Sequence, residues 1–290
     1  MERNILAVGD VVAPAGVKYC KAALPRLRRE LSVDFCVVNG ENAAVLGMLP
    51  AQAEELLSAG ADVITMGNHT WGRRELVPYL ERSREVLRPA NLPQQQPGRG
   101  WGVFETPFGD VAVIDLIGRC GMDYTPDNPF QLVERILRKI QTKLILVELH
   151  AEATSEKLAM GRMLDGQVSA VWGTHTHVPT ADTMILPQGT GYVTDLGMTG
   201  PRDSVLGIRP EHASVGDRDP KDPSNEVFTA LAEDCQISED GLLLTLSGEE
   251  GTFTIRLSEP MKRMPKDKVS FYVDKKRFLF FDKETGRIIL

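Results

Sequence analysis

The chain has few cysteines, no long apolar run and no excess of positive charge, and each shortage excludes a class of protein. Its four cysteines form no CxxC pair and no regular framework, which argues against a disulfide-stabilised domain. Apolar runs such as LLLTL and LILV are far shorter than the roughly 20 residues that a membrane-spanning helix needs. The opening segment MERNILAVGD lacks the apolar core and the cleavage site of a signal peptide. We therefore expect a cytoplasmic protein with reduced cysteines and no membrane partner.

The composition further limits the fold and the partners. The formal net charge of −7 argues against a broad basic surface for nucleic acid, although a metal cluster can reverse the sign locally for an anionic substrate. With 42% hydrophobic and 25% charged residues, the 290-residue chain has the composition of a globular protein, so a disordered, collagen-like or coiled-coil chain is excluded. No GxGxxG motif follows the first apolar run, which disfavours a dinucleotide-binding domain.

Short apolar runs alternate with helical segments over the first two thirds of the chain. The predicted strands lie in ILAV, DFCVVNGEN, ADVITMGNH, FGDVAVIDLIG, KLILVELHAE and VSAVWGTHTHVP. Helices are predicted over residues 17–31, from Pro50, over 73–87 and over 129–140. The alternation and the nearly continuous apolar strands predict an α/β protein with a largely parallel sheet covered on both faces.

The pattern changes near residue 209. The charged segment RPEHASVGDRDPKDPSNE has no periodicity, which is typical of an exposed linker. The segments GLLLTLSGEEGTFTIRLS and FLFFDKETGRIIL then alternate as hairpins do. We predict a core over residues 1–210, a linker or loop over 211–226, and a small antiparallel β-rich segment over 227–290 that packs on the core.

Metal-capable side chains follow five of the apolar runs. Ligands gather at the carboxyl ends of the strands in an open α/β sheet, so these positions are expected to converge. Four of the five histidines are among them. The candidate metal ligands are Asp10, Glu41, Asn42, Asn68, His150, His175 and His177, and His69 is the candidate proton donor. In an extended conformation His175 and His177 would point the same way, whereas Asn68 and His69 would diverge toward metal and substrate.

Seven candidate ligands exceed what one catalytic zinc needs. They predict two metal ions about 3.5–4 Å apart that share a carboxylate, for which Glu41 is the natural choice. Mixed nitrogen and oxygen ligands favour Fe, Mn, Zn, Co or Ni over Ca or Mg, without selecting one. Such a pair suits phosphoester hydrolysis by a metal-bridged hydroxide, with His69 protonating the leaving group.

The motifs GDVV, NGENAA, GNHTW, HAEATSEK and GTHTHVPTAD, followed by TDLGMTGP, resemble the YmdB-like branch of the calcineurin-like metallophosphoesterases over about residues 4–209. The resemblance implies an α/β/β/α sandwich, two metals that are often iron, and hydrolysis of phosphodiesters, notably cyclic nucleotides such as 2′,3′-cyclic nucleotides. By motif it implies one metal on Asp10, Glu41, Asn42 and His177. It implies the other on Glu41, Asn68, His150 and His175, with His69 as proton donor.

Two departures from that branch affect the surroundings of the site. Gly72 and Glu148 stand where the branch commonly has aspartates, so we expect altered loop packing or hydrogen bonds around the metals, not lost ligands. Asp195 is interpreted as a turn-forming residue, and the cations at residues 135–139 as a solvated helix face.

The leading interpretation is a dinuclear metal-dependent phosphodiesterase, with Fe as the first choice of metal and a small phosphodiester as the expected partner. Two alternatives stay open. One is a phosphomonoesterase such as a nucleotidase, which the same metal pair would serve. The other is a metal-bound regulatory protein with vestigial activity. A homo-oligomer is expected on general grounds for a soluble enzyme.

Overall fold

The structure is a computed structural model that describes residues 3–122 and 125–200 and, beyond them, the backbone of eight strands. The chain divides into two compact units, Met1–Pro201 and Arg202–Leu290, which are described separately. Within the described residues no helix is long and apolar enough to cross a membrane.

The first unit contains two β-sheets. One consists of β1 (Ile5–Val8), β2 (Phe35–Asn39), β3 (Val63–Thr65) and β4 (Val86–Leu87), which are all parallel and lie in chain order. The other consists of β5 (Trp101–Phe104), β6 (Val111–Ile117), β7 (Leu144–His150), β8 (Ala170–Thr174), β9 (Met184–Ile185) and β10 (Gly191–Val193). Its order is β5-β6-β7-β8-β10-β9, parallel in the middle and antiparallel at the two edges.

Five α-helices and one 3₁₀ turn accompany these sheets. They are α1 (Ala13–Glu30), α2 (Pro50–Ala59), the 3₁₀ turn Arg74–Leu76, α3 (Val77–Arg82), α4 (Pro129–Leu137) and α5 (Thr154–Met163). Proline occupies the first turn of α1 to α4, where its missing N–H is not needed. Asn128 begins α4 by accepting hydrogen bonds from the backbone N–H groups of Phe130 and Gln131.

Three clusters of buried side chains show how the layers stack. Leu24, Leu56 and Leu80 of the first three helices pack with Val38 and Ile64 of the first sheet. The helices α4 and α5 cover the second sheet through Val133 and Met160, among others. The third cluster lies between the sheets and joins Phe35, Val37 and Val63 to Val113 and Leu146. The first unit is therefore an α/β/β/α sandwich, which confirms the fold that the resemblance implies.

Two expectations drawn from periodicity are wrong. The alternation predicted one sheet with helices on both faces, but each sheet has helices on one face and the other sheet on its second face. Both arrangements bury a strand on two sides, so the apolar runs look the same. The helix expected over 73–87 ends at Arg82, because Ser83 turns extended and its Oγ accepts from the N–H groups of Glu85 and Val86, where β4 begins.

The second unit is described by its strands alone. They are β11 (Ser204–Gly207), β12 (Ala213–Val215), β13 (Asn225–Ser238), β14 (Gly241–Gly248), β15 (Gly251–Leu257), β16 (Lys268–Asp274), β17 (Leu279–Asp282) and β18 (Ile288–Ile289). The two expected hairpins correspond to the antiparallel pairs β14–β15 and β17–β18. Most of the predicted linker over 211–226 lies outside the described residues, apart from β12 and the start of β13. The predicted domain boundaries and packing stay predictions.

Candidate metal centre

The predicted ligands lie where strands of both sheets end. Asp10 follows β1, Glu41 and Asn42 follow β2, and Asn68 follows β3. From the second sheet, His150 is the last residue of β7, and His175 and His177 follow β8. Because all these strands are parallel to their neighbours, their carboxyl ends meet at one edge of the sandwich. The structure therefore brings all seven side chains to one place.

Interatomic distances divide the cluster into two groups. In one, His150 Nε2 lies 2.7 Å from Asn68 Oδ1, 3.1 Å from His175 Nδ1 and 3.4 Å from Glu41 Oε2. In the other, His177 Nε2 lies 3.8 Å from Asp10 Oδ1 and 3.1 Å from Asn42 Nδ2. The same Asp10 Oδ1 lies 3.9 Å from His150 Nδ1, so the two groups adjoin at Asp10.

Glu41 takes part in both groups. Its Oε2 lies beside His150, whereas its Oε1 accepts a hydrogen bond of 2.7 Å from Asn42 Nδ2. Glu41 is 1% exposed and is held by the backbone N–H of His69, which donates to Oε2. A carboxylate fixed between two groups of ligands has the placement that a bridging ligand requires.

The glycine of the GNH motif makes this crowding feasible. A Cβ atom on Gly67 would overlap both Glu41 Oε2 and His150 Nε2, so any larger residue there would displace two of the ligands. The backbone from Gly67 to Thr70 forms a tight turn, with Thr70 N–H donating to the carbonyl of Gly67.

That turn overturns one local prediction. Asn68 and His69 were expected to diverge from an extended segment, but Asn68 Nδ2 lies 3.2 Å from His69 Nε2. On a turn, adjacent side chains lose the alternation of a strand, so both reach the same cluster.

The second local prediction fails for a similar reason. His175 and His177 were expected on an extended segment, yet their φ angles are 99° and 62°. Positive φ is uncommon for residues other than glycine, costs of order 1–3 kcal/mol, and is concentrated at functional sites. The two side chains reach the cluster through this strained loop instead of through strand alternation.

Hydrogen bonds fix the tautomer of His150. Thr174 Oγ1 donates its proton to Glu148 Oε1 at 2.8 Å, so at 2.9 Å from His150 Nδ1 it can only accept. His150 therefore carries its proton on Nδ1, and Nε2 presents a lone pair. Ligating histidines in metal sites typically have this arrangement.

The atoms around the lone pair of His150 Nε2 show whether a cation fits the site. His150 Nε2, Asn68 Oδ1 and Glu41 Oε2 are all acceptors and face one another without a hydrogen between them. Asp10 Oδ1 is buried and has no hydrogen-bond partner. One ligand atom from each of Asp10, Glu41 and His150 falls within 4.8 Å of the others. Converging acceptors and an orphaned buried carboxylate oxygen fit a bound metal cation.

The pKa values describe the charges of the site without a cation. Burial, followed by repulsion from Glu41, raises the pKa of Asp10 well above its usual value. Burial lowers the pKa of His150 to about 4, so its imidazole is neutral at neutral pH. Burial alone would raise the pKa of Glu41, but the attraction of His150 and the hydrogen bonds from His69 bring it to about 2. Two buried carboxylates beside a neutral imidazole make a site that favours positive charge.

His69 lies at the outer side of the cluster with its side chain 33% exposed. Its Nδ1 is 3.1 Å from both Glu41 Oε1 and Asn42 Oδ1. The Asn42 amide thus turns its oxygen to His69 and its nitrogen to His177. Binding a cation beside His177 would require this amide to rotate by 180°.

Several residues that support the ligands were not identified from the sequence. Glu152 Oε2 lies 3.2 Å from His175 Nε2, which leaves His175 Nδ1 directed to the cluster. Asp195 accepts from Gly197 N–H, so it forms the predicted turn. Its other oxygen, however, accepts from Lys157, from Thr176 N–H and from the Thr176 hydroxyl. In the sequence, only the lysine of the motif HAEATSEK could have indicated this network. Its helical periodicity does not show that this charged residue is buried.

Glu148 occupies the space between the two sheets below the cluster. It is fully buried and accepts hydrogen bonds from Asn39 Nδ2, Thr65 Oγ1, Trp172 Nε1 and Thr174 Oγ1. That this departure alters hydrogen bonds around the metals and leaves the ligand set unchanged stays a prediction.

The chain is similar to known proteins over most of its length. A family model described as YmdB-like protein matches residues 6–242. A protein of Bacillus subtilis (strain 168) named 2′,3′-cyclic-nucleotide 2′-phosphodiesterase is 44% identical over 208 residues, which are 71% of this chain and 78% of that protein.

Two solved structures are also similar. The crystal structure of a hypothetical protein from Thermus thermophilus has a TM-score of 0.64 and 43% identity, and covers 68% of this chain and 77% of that one. The crystal structure of a novel phosphatase from Mycoplasma pneumoniae has a TM-score of 0.65 and 27% identity, and covers 99% of this chain and 91% of that one.

Proposed function

The chain belongs to the YmdB-like protein family, and from this premise we propose that it is a phosphodiesterase that hydrolyses small phosphodiesters, with 2′,3′-cyclic nucleotides as the preferred class. The observation that carries the proposal is the convergence of buried acceptors around His150, with Asp10, Glu41 and His150 within 4.8 Å of one another. The name of the B. subtilis relative, which is 44% identical, supports the choice of substrate class.

We propose that the site holds two metal ions, one in each group of ligands, with Glu41 shared. Asp10, Asn42 and His177 would complete the first group, and Asn68, His150 and His175 the second. When bound, such ions neutralise charge on phosphoryl oxygens and lower the pKa of a coordinated water toward 7. Mixed nitrogen and oxygen ligands suit Fe, Mn, Zn, Co or Ni, and the family resemblance makes iron the first choice.

His69 is the proposed proton donor to the leaving-group oxygen. Its Nδ1 is anchored by Glu41, which orients the ring, and the carboxylate of Glu41 would stabilise the protonated imidazole. The Nε2 atom contacts Asn68 Nδ2, which is itself a donor, so protonated His69 cannot keep this contact. A substrate oxygen that replaces Asn68 beside Nε2 would receive the proton.

Metal analysis combined with a substrate panel tests the proposal. The full chain is purified without added metal, its metals are counted by elemental analysis, and turnover of the four 2′,3′-cyclic nucleotides is measured on the same sample. We expect about two metals per chain and turnover that a chelator abolishes and added metal restores. Fewer than two metals at full activity would contradict the dinuclear site, and two metals without turnover would favour the regulatory alternative.

A phosphomonoesterase is the second candidate, because the similar M. pneumoniae structure is described as a phosphatase. The same ligands would serve either reaction, so the two are separated by substrate. Turnover of a 2′,3′-cyclic nucleotide is compared with turnover of the matching 2′- and 3′-monophosphates. The phosphodiesterase proposal requires a higher kcat/KM for the cyclic diester. Cytoplasmic location and a homo-oligomeric state stay predictions.

A further inference from the structure

A second cavity in the first unit is lined by basic residues. It has a volume of about 590 Å³, which is within the range of small-molecule sites. Its charged lining residues are Arg88, Arg99, Arg135, Arg138 and Lys139, and no aspartate or glutamate lines it. None of the predicted metal ligands contributes to the lining, so this cavity is separate from the metal centre.

Arg88 is the buried cation of this cavity. Arg88 is 4% exposed, and the buried carboxylate of Asp115 attracts its charge from beyond ion-pair distance. Its guanidinium donates to the backbone carbonyls of Pro89, Pro93, Gln96 and Pro97. A guanidinium has five N–H groups, so one remains without a protein acceptor. Because the buried carboxylate of Asp115 attracts this charge, Arg88 adds positive potential beside the cavity without by itself requiring an anionic ligand.

The other four cations are exposed and unpaired. No ion pair or hydrogen bond joins the side chains of Arg99, Arg135, Arg138 or Lys139 to a carboxylate in the part of the chain that the structure describes. The α4 cations were expected to form a solvated face, but the structure places them around a concavity. In a chain of net charge −7, positive charge concentrated in one cavity is repulsive until an anion enters.

Trp101 adds an aromatic surface to the same cavity. It begins the edge strand β5, is partly exposed, and lines the cavity beside Arg99 and Gly100. Guanidinium groups suit phosphate, and an indole ring suits stacking by any nucleobase. We propose that this cavity binds a nucleoside monophosphate, with its phosphate against the cations and its base against Trp101.

Backbone hydrogen bonds connect the wall of the cavity to residues that support the metal centre. Its wall residues Gly100 and Ala90 hydrogen-bond to the backbone of Asp115 through Gly100 O and Ala90 N–H. Asp115 is the register partner of Glu148, which supports Thr174 and hence His150. The proposal concerns only the binding of a ligand in this cavity, so its test does not depend on the phosphodiesterase proposal.

Binding of AMP to the full-length protein tests the inference by equilibrium dialysis. The cavity variant is Arg135→Gln/Arg138→Gln. The matched control is Lys18→Gln/Arg29→Gln, which removes the same charge from exposed positions of α1. We expect the cavity variant to weaken AMP binding by roughly tenfold or more and the control by less than about twofold. Equal weakening in both variants would overturn the site, because it would show only the effect of net charge.

Two further experiments distinguish binding of the base from binding of the phosphate, and binding in the cavity from binding at the metal centre. Trp101→Leu is expected to weaken AMP binding while binding of ribose 5-phosphate is unchanged, since only the base stacks. The Asp10→Asn variant treated with a chelator is expected to keep the AMP binding that the cavity variant loses. The proposal is overturned if AMP binding disappears in Asp10→Asn and persists in the cavity variant. It is also overturned if adenosine binds as tightly as AMP, or if an oligoribonucleotide binds where AMP does not.

Discussion

Lys157 Nζ lies 2.6 Å from Asp195 Oδ2, and both side chains are 1% exposed. The same Oδ2 accepts from the backbone N–H and the hydroxyl of Thr176, which stands between His175 and His177. The two histidines have positive φ angles, so their conformation has to be imposed by contacts of this kind. A buried ion pair that contains no predicted ligand thus holds the loop that carries two of them.

Replacement of Lys157 by methionine is expected to disorganise that loop. The change leaves the Asp195 carboxylate buried without its partner, and breaking a buried pair typically costs about 3–5 kcal/mol. We expect a lower free energy of unfolding in urea and a lower metal content per folded chain. Because the Lys157 stem also fills the space beside Gly173, methionine keeps most of the packing.

Lys18→Met, on the exposed face of α1, is the matched control and should change neither quantity. The double variant Lys157→Met/Asp195→Asn removes both charges and should recover part of the stability but not the metal content. Full metal content in the single variant would contradict a positioning role for the pair.

The ligands were predictable because each follows an apolar run, and the rules for parallel strands bring the ends of such runs together. The bridging role of Glu41 was inferred from the count of ligands and from the family resemblance, and it stays a prediction. Conformation was not predictable in the same way. The turn at Asn68 and the strained loop at His175 break the strand alternation on which the side-chain directions were based.

The supporting residues and the second sheet illustrate a different limit. The sequence does not show that Lys157, Glu148 and Asp195 are buried, because burial of a charged group depends on partners that are distant along the chain. Glu148 meets Asn39 from a strand 109 residues away. A strand covered by helices on both faces and a strand covered by helices on one face and by a second sheet on the other have the same hydrophobic pattern. Periodicity therefore predicted one sheet where two are stacked.

Glu148→Gln is expected to destabilise the protein without removing any ligand. Both carboxylate oxygens of Glu148 accept two hydrogen bonds, and an amide nitrogen in place of either would face two donors. The loss of two bonds in a buried site is expected to cost about 2–4 kcal/mol. Burial raises the pKa of Glu148, so removal of the charge offsets part of this cost at neutral pH, and urea unfolding of the metal-free protein measures the net change. Glu105→Gln, at an exposed position, is the control. An unchanged free energy of unfolding would show that the network contributes little.

His69→Ala is expected to separate metal binding from turnover. The side chain lies at the outer side of the cluster, and the ligand atoms around His150 do not depend on it. Metal content should therefore match the unsubstituted protein, whereas kcat for a cyclic nucleotide should fall about 10²–10⁴-fold, as loss of a general acid does. His212→Ala changes the one histidine that is not a predicted site residue and serves as the control. Retained metal with unchanged kcat would remove His69 from the mechanism.

Asp10→Asn is expected to stabilise the metal-free protein and to weaken the stabilisation by added metal. Folding raises the pKa of Asp10, and an acid with a raised pKa destabilises the folded state at pH values above its unfolded pKa. The amide removes this cost, so at neutral pH the metal-free variant should unfold at a higher temperature than the metal-free parent protein. It also removes a ligand, so added Mn²⁺ should raise the melting temperature of the parent strongly and that of the variant weakly. The isosteric change Asp110→Asn, at an exposed position, controls for the loss of one negative charge. Suppose instead that the variant is less stable than the parent without metal and gains as much stability from Mn²⁺ as the parent does. That result would show that Asp10 is not part of the cation site.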